Sequence, residues 1–244
     1  MVGQAKIDEF VRRARTAAGD NLQCVVLYGS AANGDFHPDY SHIDLLCLLR
    51  ETSFAALETL AATVKWWTRQ KQPAPIVMTP AELQRSAAVF AIEIMDMKAR
   101  HHVLFGDDPL PGLRISPHAH CAQVRYELHE KLVLLRRHLL LAADSPRRLR
   151  ELLLRSLPSF LTLIHHATLA LGEGETGRRE ALQRLAQKVS FDPAVFHQLL
   201  ELRERKADWK NYDVKSLCRR YLTAIEQIAE GVDRMIGPDP FAVA

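Results

Sequence analysis

The run Val25-Val26-Leu27-Tyr28-Gly29-Ser30 and, after eleven intervening residues, the run His42-Ile43-Asp44-Leu45-Leu46 decide how this chain is read. The first is apolar up to a Gly-Ser pair, the pattern of a buried strand stopped by a turn. The second is again strand-like, with an acid set among apolar residues. Side chains of a strand alternate faces, so His42 and Asp44 are expected on one side. Gly29 permits close backbone approach, and Ser30 brings a hydroxyl and an amide to a phosphate. A carboxylate beside such a turn is suited to hold a divalent ion on the tail of a nucleoside triphosphate. Between the runs, Ala31 to Ser41 contains Asn33-Gly34 and Pro38 and reads as a loop.

Working outward, Gln4 to Ala18 places Ile7, Phe10, Val11 and Ala14 at helical spacing, and Gly19-Asp20-Asn21 ends that pattern. Ser53 to Lys71 reads as a helix capped by Thr52 or Ser53, with Leu57, Leu60, Val64 and Trp67 on one face. Pro73 and Pro75 precede a short strand, Ile76-Val77-Met78. Thr79-Pro80 then opens a helix over Ala81–Ser86. A further helix is expected over Val89 to His101, and Val103-Leu104-Phe105 forms a fourth strand stopped by Gly106. Helices alternating with strands imply an α/β layer in which helices cover a sheet.

From Ser116 onward the signals are helical only. Ser116-Pro117 opens a helix to about Ala143, Ser145-Pro146 another to Gly172, and Asp192-Pro193 a third. Arg178 to Lys188 forms a shorter helix, and Asp213 caps a last one stopping near Gly237. Pro158 is expected to kink the second of these, because it removes a backbone donor and crowds the preceding turn. The stripe Leu128, Leu132, Leu135, Leu139 fits a helical bundle. The predicted organisation is therefore an α/β domain over 1–115 and a helical bundle over 116–244.

Composition sets the class. At 48% hydrophobic and 25% charged, the 244 residues are those of a globular chain and not a disordered one. No apolar run approaches the roughly 18 residues of a spanning helix, so no membrane segment is expected. Met1 to Asp20 has no continuous apolar stretch, so no export signal is read. Cys24, Cys47, Cys121 and Cys218 are widely spaced without a CxxC, which predicts reduced thiols and a cytoplasmic location. The net charge of +3 is too small to imply nucleic-acid binding. It divides into −1 over residues 1–115 (12 Lys+Arg against 13 Asp+Glu) and +4 over the remainder (20 against 16).

The Tyr28-Gly29-Ser30 strand end, the spacer and Asp44 together resemble the signature of the nucleotidyltransferase superfamily of the DNA polymerase β type. That signature is an apolar strand, Gly-Gly or Gly-Ser, a spacer, then Asp-apolar-Asp or -Glu. The resemblance spans residues 5–110 and implies a mixed-sheet fold. The helical C-terminal part is similar in architecture to small bacterial kanamycin-type members. It implies transfer of a nucleoside monophosphate from an NTP to a hydroxyl acceptor (small molecule, RNA or protein), with Mg²⁺ or Mn²⁺ as cofactor. Gly29 and Ser30 would hold the triphosphate, Asp44 the metal, and His42 would serve as a weak ligand or phosphate contact.

Two departures weigh against this. The first acid of the family pair is His42 here, and imidazole is a poor Mg²⁺ ligand though acceptable to Mn²⁺ or Zn²⁺. The strand expected to supply a third acid, Ile76-Val77-Met78-Thr79, has none. Asp35, Asp39, Glu93, Asp96, Glu127 and Glu130 are the substitutes available, against their ordinary role as solvated charge. Two readings therefore stand: a nucleotidyltransferase, and a regulatory, antitoxin-like module that keeps the fold without the chemistry. A homodimer is compatible with either.

Other clusters are weaker. His118, His120 and Cys121 lack the spacing of a zinc site and read as surface or capping residues. His165-His166 is expected at a helix–helix junction. Trp66-Trp67 reads as core packing with one exposed neighbour, with base stacking the sharper alternative. The basic stretches around Arg147–Arg150 and Arg203–Lys206 read as solvated surface.

Overall fold

The computed structural model describes residues 3–32 and 42–236. Asp35 and Asp39, in the spacer, and the stop near Gly237 lie outside the described residues. The chain divides into two compact units, Met1–Ser116 and Pro117–Ala244.

The first unit is built on a four-stranded sheet in the order β3-β2-β1-β4. Its elements are α1 (Gln4–Ala18), β1 (Leu22–Tyr28), β2 (Asp44–Leu49), α2 (Phe54–Arg69), β3 (Ile76–Met78), α3 (Pro80–Ser86), α4 (Ala91–Ala99) and β4 (His101–Phe105). β1 runs antiparallel to both β2 and β4, while β2 and β3 are parallel. The parallel pair is joined through α2, as a crossover requires. Central strands are apolar on both faces because both are covered. Val25, Leu27, Ile43, Leu45 and Cys47 pack with Phe10 of α1 and Trp67 of α2 on one side. Cys24, Val26, Leu46 and Leu48 pack with Leu83 of α3 and Ile94 and Met97 of α4 on the other.

Local chemistry sets the helix starts. The Ser53 side chain accepts from Ala56 N and caps α2. Thr79 caps α3 in a full capping box with Glu82, and Pro80 occupies the first helical position. Trp67 is fully buried, its ring 5.1 Å from that of Phe10. Two expectations change. Leu57 is 40% exposed, because the buried face of α2 runs through Ala56, Leu60, Thr63 and Trp67. His101 belongs to β4 and not to α4, which ends at Ala99, and β4 begins two residues earlier than expected, with His101 and His102 paired to Tyr28 and Leu27.

The second unit comprises α5 (Pro117–Ala142), α6 (Pro146–Ala170), α7 (Arg178–Lys188), α8 (Ala194–Arg203) and α9 (Val214–Ile236). α6 is the central helix, packed against α5, α7, α8 and α9. Its C-terminal half is buried nearly all round, through Phe160, Leu161, Leu163, Ile164, His166, Ala167 and Thr168. Pro158 sits inside α6 without ending it. A proline there frees the carbonyl four residues back, that of Leu154. Arg203, at the end of α8, donates its Nη1 to Leu154 O at 2.7 Å and supplies the missing donor.

His120 also departs from expectation. It is buried, not a surface or capping residue, and its Nε2 lies 2.9 Å from Nδ1 of buried His166. A polar group in a helix interface must find a partner, and each imidazole serves the other. His118, two residues earlier, is exposed. The four cysteines are free thiols, and no helix among the described residues is long and apolar enough to cross a membrane.

Candidate functional site

Register fixes the site. β1 and β2 pair so that Tyr28 lies opposite Asp44, and β1 and β4 so that Tyr28 lies opposite His101. Directly opposed residues share a face, so Asp44, Tyr28 and His101 form one row across three strands at the end of β1. The face is the one covered by α3 and α4, since Tyr28 packs with Val26, Leu46 and Leu48 there. This row places a carboxylate, a phenol and an imidazole beside the turn that leaves the sheet.

That turn is Gly29–Ala31, one 3-10 turn closed by Ala32 N donating to Gly29 O at 3.0 Å. Gly29 has φ +72°, a left-handed backbone that side-chain-bearing residues rarely adopt. Space is equally decisive: a Cβ on Gly29 would stand 2.8 Å from Asp44 Oδ2 and 3.6 Å from its Cγ. The Asp44 carboxylate thus lies directly against the glycine, with half-buried Ser30 next in the chain. Gly29, Ser30 and Asp44 are brought together.

The electrostatics of Asp44 are those of an under-served anion. Burial raises its carboxyl above the ordinary value, and His42 opposes this only in part. His42 precedes β2 and is exposed, near enough to be felt by Asp44. Burial also raises the Tyr28 phenol, and the charges of Asp44 and Glu93 raise it further. Glu93, in the first turn of α4, therefore shares the electrostatic field of Tyr28 with Asp44. His101 is held by Asp108, Nε2 to Oδ2 at 2.9 Å. Burial raises the Asp108 carboxyl, but the Leu110 amide and His101 bring it below its ordinary value overall.

Among the other acids weighed from sequence, Glu127 and Glu130 both pair with Lys131 at 3.0 Å on α5. They are ordinary helix-surface ion pairs. Asp96 is exposed on α4. β3 lies parallel beside β2 and carries no acid. Among the described residues no three His, Cys, Asp or Glu side chains gather to hold a metal. The half-buried Asp44 carboxylate, with its pKa raised, fits one divalent cation, which would restore its charged form. The described donors do not fit a pair of Mg²⁺ ions, which call for several hard oxygen ligands.

Sequence reasoning missed Tyr28 as part of this row. The signal was present: Cys24, Val26 and Tyr28 alternate onto one face, and Tyr28 immediately precedes the glycine.

Residues 7–100 match the family model described as Nucleotidyltransferase domain. The first unit contains a nucleotidyltransferase domain. The strand, glycine turn and Asp44 described above all lie inside the matched span. Among solved structures, the chain is similar to the spectinomycin adenyltransferase AAD(9) from Enterococcus faecialis, solved with ATP and spectinomycin. The likeness covers 92% of this chain and 98% of that one, with TM-score 0.58 and 15% identity, and is one of fold. A toxin-antitoxin structure with AMP-PNP aligns over 41% of this chain and 74% of its own, at TM-score 0.29 and 20% identity. No curated protein sequence matches the chain.

Proposed function

We propose that the nucleotidyltransferase domain binds a nucleoside triphosphate at the Gly29–Ser30 turn and transfers its nucleoside monophosphate to a hydroxyl of a small-molecule acceptor. The observation that carries this reading is the Asp44 carboxylate packed against Gly29. It brings a carboxylate able to hold a cation to a glycine turn, whose backbone amides can face phosphate oxygens. The ATP and small-molecule pair of the AAD(9) structure supports the same substrate classes. A cytoplasmic location belongs to the same proposal, supported by the NTP donor it requires and by the four free thiols.

In the reaction, the acceptor oxygen forms a bond to the α-phosphorus, the bond to the pyrophosphate oxygen breaks, and the hydroxyl proton passes to a carboxylate. We assign that last role to Glu93, in the first turn of α4, the helix that packs on the sheet face carrying Tyr28 and Asp44. Asp44 would hold a divalent ion, Mg²⁺ or Mn²⁺, which when bound neutralises triphosphate charge. Ser30 would donate to a phosphate oxygen, and His42 would contact the triphosphate from the open side.

A second reading, a nucleotide-binding regulatory module without turnover, is favoured by the single carboxylate among the described residues at the β1–β2 end and the imidazole at position 42. Calorimetric titration of ATP with Mg²⁺ or Mn²⁺ into wild type and Asp44→Ala, with pyrophosphate release followed in parallel, separates them. Metal-dependent binding lost in Asp44→Ala, with pyrophosphate released in the presence of hydroxylated acceptors, is expected. Binding without release selects the regulatory module, and no binding to wild type overturns both.

A further inference from the structure

At the opposite end of the sheet from Asp44 lies a cavity of about 520 Å³ lined by Arg12, Arg15, Asp20, Arg50 and Phe105, among others. Leu22, which begins β1, lines it too, so about 20 Å of strand separates it from the glycine turn. Three arginines from two separate segments converge on it, against one carboxylate. Arg12 is held by Glu9 at 2.7 Å. Arg15 and Arg50 form no ion pair among the described residues, although Asp20 lines the same cavity. Arg15 stacks instead over the Phe105 ring, 4.7 Å from its centroid. That stacking fixes the plane of the guanidinium and leaves its N–H edge for a ligand.

Arg50 is fixed at its backbone. Its N–H donates to Asn21 O at 2.9 Å, while the Asn21 side chain donates to Glu51 O at 3.2 Å and accepts from Glu51 N at 3.0 Å. The favourable effect of a cation at a helix C-terminus accounts for Arg15 at the end of α1. It does not account for Arg50, which follows β2. Arginine forks in a concave site match phosphate oxygens bidentately, and the volume is that of a small-ligand pocket. From this convergence we propose that the Arg12–Arg15–Arg50 cavity is an anion site that takes a small polyphosphate, separate from the triphosphate turn.

The test is titration of inorganic pyrophosphate into the full chain carrying Asp44→Ala, in EDTA, so that metal-dependent binding at the turn does not contribute. Saturable binding of one pyrophosphate is expected, weakened at least tenfold by Arg50→Ala and by Arg15→Ala. Thermal unfolding of Arg50→Ala should match that of the parent, since its side chain is exposed and its backbone bond to Asn21 is kept, so the weaker binding of that variant reports the site and not the fold. Equal binding in the arginine variants, or none in the parent, overturns the proposal. Arginine-dependent binding of a single-stranded oligonucleotide at lower concentration than pyrophosphate also overturns it, in favour of a nucleic-acid backbone. Failure here leaves the ATP titration untouched, because the two sites share no residue.

Discussion

Asp44 and Gly29 are in such close contact that the carboxylate occupies the space a side chain at position 29 would need, 2.8 Å from where its Cβ would stand. Gly29→Ala therefore faces two costs at once. The left-handed backbone, φ +72°, disfavours alanine by about 1–2 kcal/mol, and the methyl displaces the carboxylate. We expect a comparable loss of unfolding free energy in urea together with loss of ATP binding. A variant that keeps wild-type ATP affinity would show that the contact does not position Asp44.

Asp44 also sets a pH dependence. Because its folded pKa is raised, the folded state holds a proton that the unfolded state has released between the ordinary and the raised value. Stability falls as pH rises through that window. Asp44→Asn removes the charge, so it should flatten this fall and leave the protein at least as stable as wild type at neutral pH, while abolishing metal-dependent ATP binding. Urea midpoints measured from acid to neutral pH decide it. A variant that is less stable at every pH contradicts the assignment of Asp44 as an anion held for function at the expense of stability.

The legibility of this chain follows the range of the interactions involved. Thr79-Pro80 and Ser53 are visible in sequence because a cap is a local event, and the Gly-Ser strand end is visible because strand and turn are contiguous. Tyr28 joins Asp44 and His101 only once the register of three strands is known, and periodicity carries no register. The His120–His166 pair links residues 46 apart in sequence, on helices that each read as amphipathic alone. Pro158 was legible as a defect in α6, but its remedy, Arg203, belongs to another helix.

Among the described glycines of the second unit, Gly231 in α9 is the one packed closely against a neighbouring side chain. A Cβ there would stand 2.3 Å from Val189 Cγ1 and 2.8 Å from its Cγ2. Alanine gains about 1 kcal/mol over glycine in a helix interior, whereas overpacking a filled core costs about 1–3 kcal/mol. With the approach this short, overpacking wins, and Gly231→Ala should lower thermal stability. Adding Val189→Ala removes both offending methyls, so the double variant should unfold with a smaller loss than the two single losses summed. Strict additivity in chemical denaturation would mean the two sites do not touch.

Pro158 and Arg203 supply the sharpest test of the helical unit. The Leu154 carbonyl has lost its helical donor to Pro158 and accepts from Arg203 at 2.7 Å instead. Arg203→Met strips that donor from a half-buried carbonyl, at a cost of about 1–3 kcal/mol. Pro158→Ala returns an N–H to position 158, so Leu154 no longer depends on the arginine. A double-mutant cycle on urea unfolding should therefore show Arg203→Met costing at least about 1 kcal/mol less in the Pro158→Ala background than in wild type. An equal cost in both backgrounds would mean that the guanidinium stabilises the unit through its other contacts and not by completing α6.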